Sequence, residues 1–121
     1  MRFTTLIPNI FYADIQVGLQ LFVSCLGFTL VYDDLDSEHP FCVAARDGLK
    51  VHLVQSPEFA AKDRPELRLE TDDIEAAYAA VLERFPQLLH RNLSVIKKQP
   101  WGAQEFALAD SSGVCIIIQQ W

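Results

Sequence analysis

The chain has 121 residues, half of them hydrophobic, which is the size of one domain with a self-sufficient core. Sixteen acidic against ten basic side chains leave a formal charge of −6, a surface that repels phosphate backbones and anionic lipids, so neither nucleic acid nor a membrane is an expected partner. No apolar stretch approaches the ~20 residues that span a bilayer, and Met1 to Thr5 lack the run and cleavage site of a signal peptide, so a cytoplasmic location is expected.

Thr5 to Tyr12 is rich in apolar and β-prone residues and reads as a strand that stops before Asp14, a natural helix N-cap. From Asp14 to Leu26 the positions Ile15, Leu19, Phe22, Val23 and Leu26 recur at steps of three and four, and Gly27 stands where a helix commonly ends in the left-handed conformation. Phe28 to Tyr32, Phe41 to Ala45 and Leu49 to Gln55 read as three strands, the last two joined by a turn at Arg46-Asp47-Gly48. A loop is expected from Ser56 to Arg64, then a strand from Glu66 to Thr71. Asp72 and Glu75 have capping-box spacing before the stripe Ile74, Tyr78, Val81, Leu82 and Phe85, and Pro86 ends that helix. Ser94 to Gln99, Gln104 to Ala109 and Val114 to Gln120 close the chain as strands, with a hairpin turn at Asp110-Ser111-Ser112-Gly113.

The order β-α-β-β-β therefore occurs twice, over approximately 4–55 and 65–121, within a single domain spanning 1–121. The Asp-Ile helix starts at 14 and 73 are 59 residues apart and the turn glycines at 48 and 113 are 65 apart, so one insertion of six residues, supplied near Gln87 to Asn92, relates the halves. Alternation places Leu67 and Leu69 under the second helix, with Glu66, Arg68 and Glu70 on the opposite face; the offset makes Ile7, Asn9 and Phe11 their counterparts. Likewise Val51 and Leu53 face the first helix, so Lys50, His52 and Val54 share the other face with their counterparts Cys115, Ile117 and Gln119. The three cysteines, Cys25, Cys42 and Cys115, are odd in number, widely spaced and set among apolar residues, and read as reduced core residues.

The run Asp14-Ile15-Gln16-Val17-Gly18-Leu19 leading to Leu26-Gly27-Phe28 resembles the first-helix signature of the glyoxalase/bleomycin-resistance/extradiol dioxygenase (vicinal oxygen chelate) superfamily. Trp101-Gly102, Phe106 and Asp110-Ser111-Ser112-Gly113 resemble its second signature, a Trp-Gly followed by Asp-Pro-Asp-Gly, and the resemblance covers nearly the whole chain. It implies an α+β fold of two tandem βαβββ repeats, with cupped mixed β-sheets around a ligand pocket, helices on the outer face, and usually a homodimer. Metal-using members resemble one another in a quartet of His and Glu side chains, and the matching positions here are Ile7, His52, Glu66 and Ile117. Only two of these can bind a metal, whereas open divalent sites generally take three or more protein ligands. No metal and no cofactor is therefore expected, and the resemblance points to the metal-independent branch that binds drugs or metabolites. The alternative is a divalent-metal-dependent lyase or isomerase, or an extradiol dioxygenase, in which His52 and Glu66 persist and Gln119 or His90 completes the site. A third reading is a module whose pocket is filled by its own side chains.

His52 suits a general base or a ligand anchor, oriented by Glu66 if the two meet, or it is a pocket-wall histidine. Arg68 can hold a ligand carboxylate or phosphate, or pair with Glu66 or Glu70. Phe11, Phe41, Trp101 and Phe106 offer stacking walls or ordinary core packing, and Asn9, Ile117 and Gln119 complete the expected ligand-binding face. The acidic stretch from Asp33 to Glu38 lacks calcium-loop spacing and reads as a solvated hairpin.

Overall fold

Backbone chemistry at proline and glycine sets the limits of the first strand and helix. In the computed structural model, which describes residues 1–63 and 65–121, β1 (Asn9–Tyr12) begins only after Pro8, which has no N–H to give a ladder. The strand expected from Thr5 is shorter for that reason. Arg64, which ends the loop expected from Ser56, lies outside the described residues.

The chain forms two compact units, Met1–Asp63 and Arg64–Trp121. In the first, Asp14 caps α1 (Ile15–Leu19) by accepting the Gln16 N–H at 3.0 Å. The expected α-helix does not hold to its end. Over Gln20–Cys25 it widens to π geometry, with the Leu26 N–H reaching back to the Leu21 carbonyl, before Gly27 terminates it at a φ of 74°. Its buried residues are Ile15, Gly18, Leu21 and Phe22, whereas Leu19, Val23 and Leu26 of the expected stripe are half-buried. Gly18 rests on Tyr12: a Cβ there would come within 2.4 Å of the ring.

The strands β2 (Thr29–Asp34), β3 (Phe41–Arg46) and β4 (Leu49–Gln55) run antiparallel, and β1 joins β4 in parallel, giving the order β1-β4-β3-β2. Asp47 and Gly48 both have positive φ, the geometry a two-residue hairpin needs. Ile10, Tyr12, Cys42, Ala44, Val51 and Leu53 are buried on alternate positions of β1, β3 and β4. The loop expected after β4 contains a short helix, α2 (Pro57–Ala60), which Ser56 caps by accepting the Phe59 N–H and which Pro57 starts at its first position.

In the second unit β5 (Glu66–Glu70) pairs in parallel with β8 (Cys115–Gln120), which pairs with β7 (Gln104–Ala109), and β7 with β6 (Lys97–Lys98). The helix α3 (Ile74–Arg84) is capped by Asp73, whose carboxylate accepts the Ala76 N–H, and not by Asp72. Ile74 and Val81 are buried, Tyr78 meets Phe106 edge to face, and Leu82 of the expected stripe is exposed. The sixth strand is shorter than the Ser94 to Gln99 expected. The segment before it takes the edge of β7 instead, through a Leu89–Leu108 bridge, His90 N–H to Ala107 carbonyl and Ala107 N–H to Leu93 carbonyl, while the Ser94 carbonyl accepts from the Tyr78 hydroxyl.

The fold is α+β with two four-stranded mixed sheets and two βαβββ halves, as the sequence indicates. Asn9 lies opposite His52 and Arg68 opposite Ile117, which reproduces the offsets of 59 and 65. Among the described residues no helix is long and apolar enough to cross a membrane.

Candidate functional site: two sheet faces and a hollow

Each sheet turns one face toward its own helix and the other away from it, and the two outward faces differ in chemistry. On the first, Asn9, His52 and Val43 lie in one register row, and Phe11, Val54 and Phe41 in the next. The Phe41 ring packs 5.8 Å from His52 and 5.3 Å from Tyr32. Phe11 packs 5.2 Å from Phe59, and the Lys62 ammonium lies 5.8 Å from the Phe59 ring. Tyr32 and Phe59 extend the expected aromatic surface. Phe59 is placed by α2, which the Ser56-Pro57 pair signals as an N-cap followed by a first-turn proline.

On the second sheet Glu66 and Cys115 share a row with Ala109, Arg68 and Ile117 with Ala107, and Glu70 and Gln119 with Glu105. Arg68 pairs with neither Glu66 nor Glu70. It reaches across β8 to Glu105, 2.5 Å away, and also donates to the Gln119 side-chain oxygen at 3.1 Å. The Glu105 side chain is only 3% exposed, and its second oxygen accepts from the Gln99 amide at 3.1 Å. A carboxylate withdrawn from water needs such partners, so the Arg68 Nη1 group is committed within the protein, while the rest of the guanidinium stays half exposed. Glu105 was not among the expected site residues. Counting back from the Asp110 to Gly113 turn along alternating β7 positions identifies it, because Ala109 opposite Cys115 puts Glu105 on the open face.

The same count moves Phe106 off the site: it is fully buried on the helix side against Tyr78. Trp101 is exposed at the tip between β6 and β7, where Gly102 takes a φ of 105°, and does not line the hollow described next.

A hollow of about 290 Å³ opens on the second sheet. Its floor is Ala107, Ile117 and Cys115; Glu66, Lys97 and Gln99 reach over it, and His90, Asn92 and Leu93 form the wall on the β7 side. The small side chain of Ala107 at the sheet centre leaves the space, and the extra connection after the second helix borders it on one side. His90 Nδ1 accepts the Asn92 N–H at 3.1 Å, which puts the neutral ring's proton on Nε2. Cys115 is half-buried in the hollow and not a sealed core residue; burial raises its thiol pKa, the Glu66 carboxylate raises it further, and the Arg68 guanidinium lowers it.

Ile7 precedes β1 and His52 lies on β4, both in the first unit; Glu66 and Ile117 belong to the second. Isoleucine has no lone pair, so this quartet offers two donors, and among the described residues no group of three or more His, Cys, Asp or Glu is placed to hold a metal ion. The residues at these positions do not fit a resident divalent metal.

Neither a protein-family model nor a curated protein matches this sequence. Solved structures do. A bleomycin-binding protein complexed with bleomycin is 20% identical with a TM-score of 0.75, covering 98% of this chain and 99% of that one. The bleomycin resistance determinant encoded on transposon Tn5 is 20% identical at a TM-score of 0.72, with 98% of both chains covered. A glyoxalase/bleomycin resistance protein/dioxygenase superfamily member from Sphaerobacter thermophilus is 21% identical at 0.71, again over 98% of each chain. At these identities the likeness is one of fold, and the chain has the glyoxalase/bleomycin-resistance fold.

Proposed function

We propose that this chain, built on the glyoxalase/bleomycin-resistance fold, is a metal-independent, cytoplasmic, homodimeric protein that binds a small organic molecule on the open faces of its sheets. The observation that carries this reading is Ile117. It occupies a position that the family resemblance assigns to a metal ligand, and with Ala107 it instead makes an apolar floor beneath a hollow of about 290 Å³. Ligand pockets combine such apolar surfaces with a few polar groups that fix orientation. Asn9 and His52, beside the Phe11 and Phe41 surface, supply those groups on the first sheet; Glu66 and Gln119 supply them on the second. The likeness to a protein that binds bleomycin supports the ligand-binding branch.

Elemental analysis of the purified protein, with nickel, zinc, manganese and ferrous-iron titrations of wild type and His52→Ala, tests metal independence. No stoichiometric metal is expected; tight binding lost in His52→Ala would sink the reading and favour the lyase, isomerase or dioxygenase alternative. A thermal-shift screen of drug-like compounds, bleomycin included, tests the binding role. A true ligand at a hundredfold excess over its Kd stabilises by about 2.7 kcal/mol, and a screen without any such compound would favour a self-filled pocket.

A further inference from the structure

Glu66 and Lys97 line the same hollow, yet among the described residues neither has an ion-pair partner. Arg68, on the same sheet face, donates through Nη1 to Glu105 and Gln119 and does not line the hollow, so among the described residues Lys97 is the lysine or arginine that borders it. The two free charges stand on opposite edge strands, β5 and β6, with β8 and β7 between them. Three strand spacings put their backbones roughly 14 Å apart across the sheet. They also differ by two register rows along it, Glu66 sharing the Cys115 row and Lys97 the Glu105 row. Side chains reaching inward from such positions leave a gap floored by Ile117 and Ala107. A gap of that kind is too long for the adjacent charges of one α-amino acid head and fits charges separated by an apolar spacer.

We infer that the hollow takes an elongated zwitterion, with its ammonium group on Glu66, its carboxylate on Lys97 and an aliphatic spacer over Ile117 and Ala107. This rests on the small-molecule-binding reading above and names the ligand class for the second sheet. Opposite free charges at fixed separation favour a ligand carrying both complements over one carrying either alone, because each unmatched charge on the protein loses water without gaining a partner.

The test uses three probes with the same six-carbon skeleton, 6-aminohexanoate, hexanoate and hexylamine, titrated calorimetrically into wild type, Glu66→Gln and Lys97→Gln. Both substituted residues are exposed, and urea midpoints verify that the variants remain folded. Wild type should bind 6-aminohexanoate roughly five- to tenfold more tightly than either singly charged probe. Glu66→Gln should reduce it to the level of hexanoate, and Lys97→Gln to that of hexylamine. Equal affinities for the three probes, a preference that survives both substitutions, or no binding of any probe would each overturn the inference. If the probes fail while other compounds stabilise the protein in the thermal-shift screen, only the zwitterion assignment falls; if nothing stabilises it, the binding role falls with it.

Discussion

Cys115 is a reporter built into the hollow, because its thiol is raised by burial and by the Glu66 carboxylate while Arg68 opposes them. Removing the carboxylate in Glu66→Gln stabilises the thiolate, so the thiol pKa falls and alkylation by iodoacetamide at pH 8 speeds up several-fold, since a shift of one pKa unit is about tenfold in thiolate while the thiol predominates. Arg68→Met acts in the opposite sense and slows it. Peptide mapping by mass spectrometry separates Cys115 from Cys25 and Cys42, which should change little; an unchanged Cys115 rate in Glu66→Gln would remove Glu66 from the hollow. At this scale the sequence showed which residues share a face but not which pairs form. Arg68 was legible as an open-face residue, and its choice of Glu105 over its own strand neighbours was not, because that choice depends on a partner 37 residues away that burial deprives of water. The helix-side position of Phe106 is not legible for a simpler reason. Aromatic residues suit a core and a pocket wall equally, and only the strand register tells which side is which.

At the scale of elements, the two helix starts reveal the duplication more sharply than the strands do. Asp14 and Asp73 each accept an N–H of the first turn, and a glutamine from the end of a distant strand accepts another: Gln55 from Ile15 at 3.0 Å, Gln120 from Ile74 at 2.8 Å. The aspartates are separated by 59 residues and the glutamines by 65, the same two offsets that relate the halves. The aspartate caps are local and were legible, apart from a one-residue ambiguity at Asp72-Asp73; the glutamine caps bridge 40 and 46 residues and leave no local signature. Ile15 and Ile74 are buried, so losing the acceptor strands an N–H away from water, and Gln55→Ala and Gln120→Ala should each cost about 1–3 kcal/mol in urea unfolding. Glutamate separates the two sites. Gln120 also donates its amide to the Asp72 carbonyl at 2.8 Å, and among the described residues the Gln55 amide has no such acceptor. Gln55→Glu keeps an acceptor at a helix N-terminus and should be close to neutral, whereas Gln120→Glu sets a carboxylate against a carbonyl and should destabilise. Equal effects of the two glutamate variants would mean that the second hydrogen bond contributes nothing. The π-helical turn and the short α2 are the elements least visible in the sequence, since six and four residues are too few for a period to show.

At the scale of the whole molecule, the proposed homodimer has to form between two copies that each carry a formal charge of −6. Long-range electrostatics therefore oppose association, and the drive must come from apolar surface. Such surface is available: Phe3, Leu6, Val31 and Tyr32 are exposed, the last two on β2, an edge strand of the first sheet. Apolar side chains on an uncovered edge favour pairing with another chain, and a charge placed there opposes it. The sign of the salt dependence discriminates between driving forces. Raising ionic strength from about 0.05 M to 0.5 M shortens the Debye length from over 10 Å to under 5 Å, so like-charge repulsion is screened while apolar burial is retained. Sedimentation equilibrium should show a species of twice the chain mass whose dissociation constant falls with salt. Val31→Glu should weaken it, the more so at low salt, if the β2 edge takes part. Dissociation that increases with salt would mean that ion pairs hold the copies together, and a chain that stays monomeric at every salt concentration would leave each copy to bind its ligand alone.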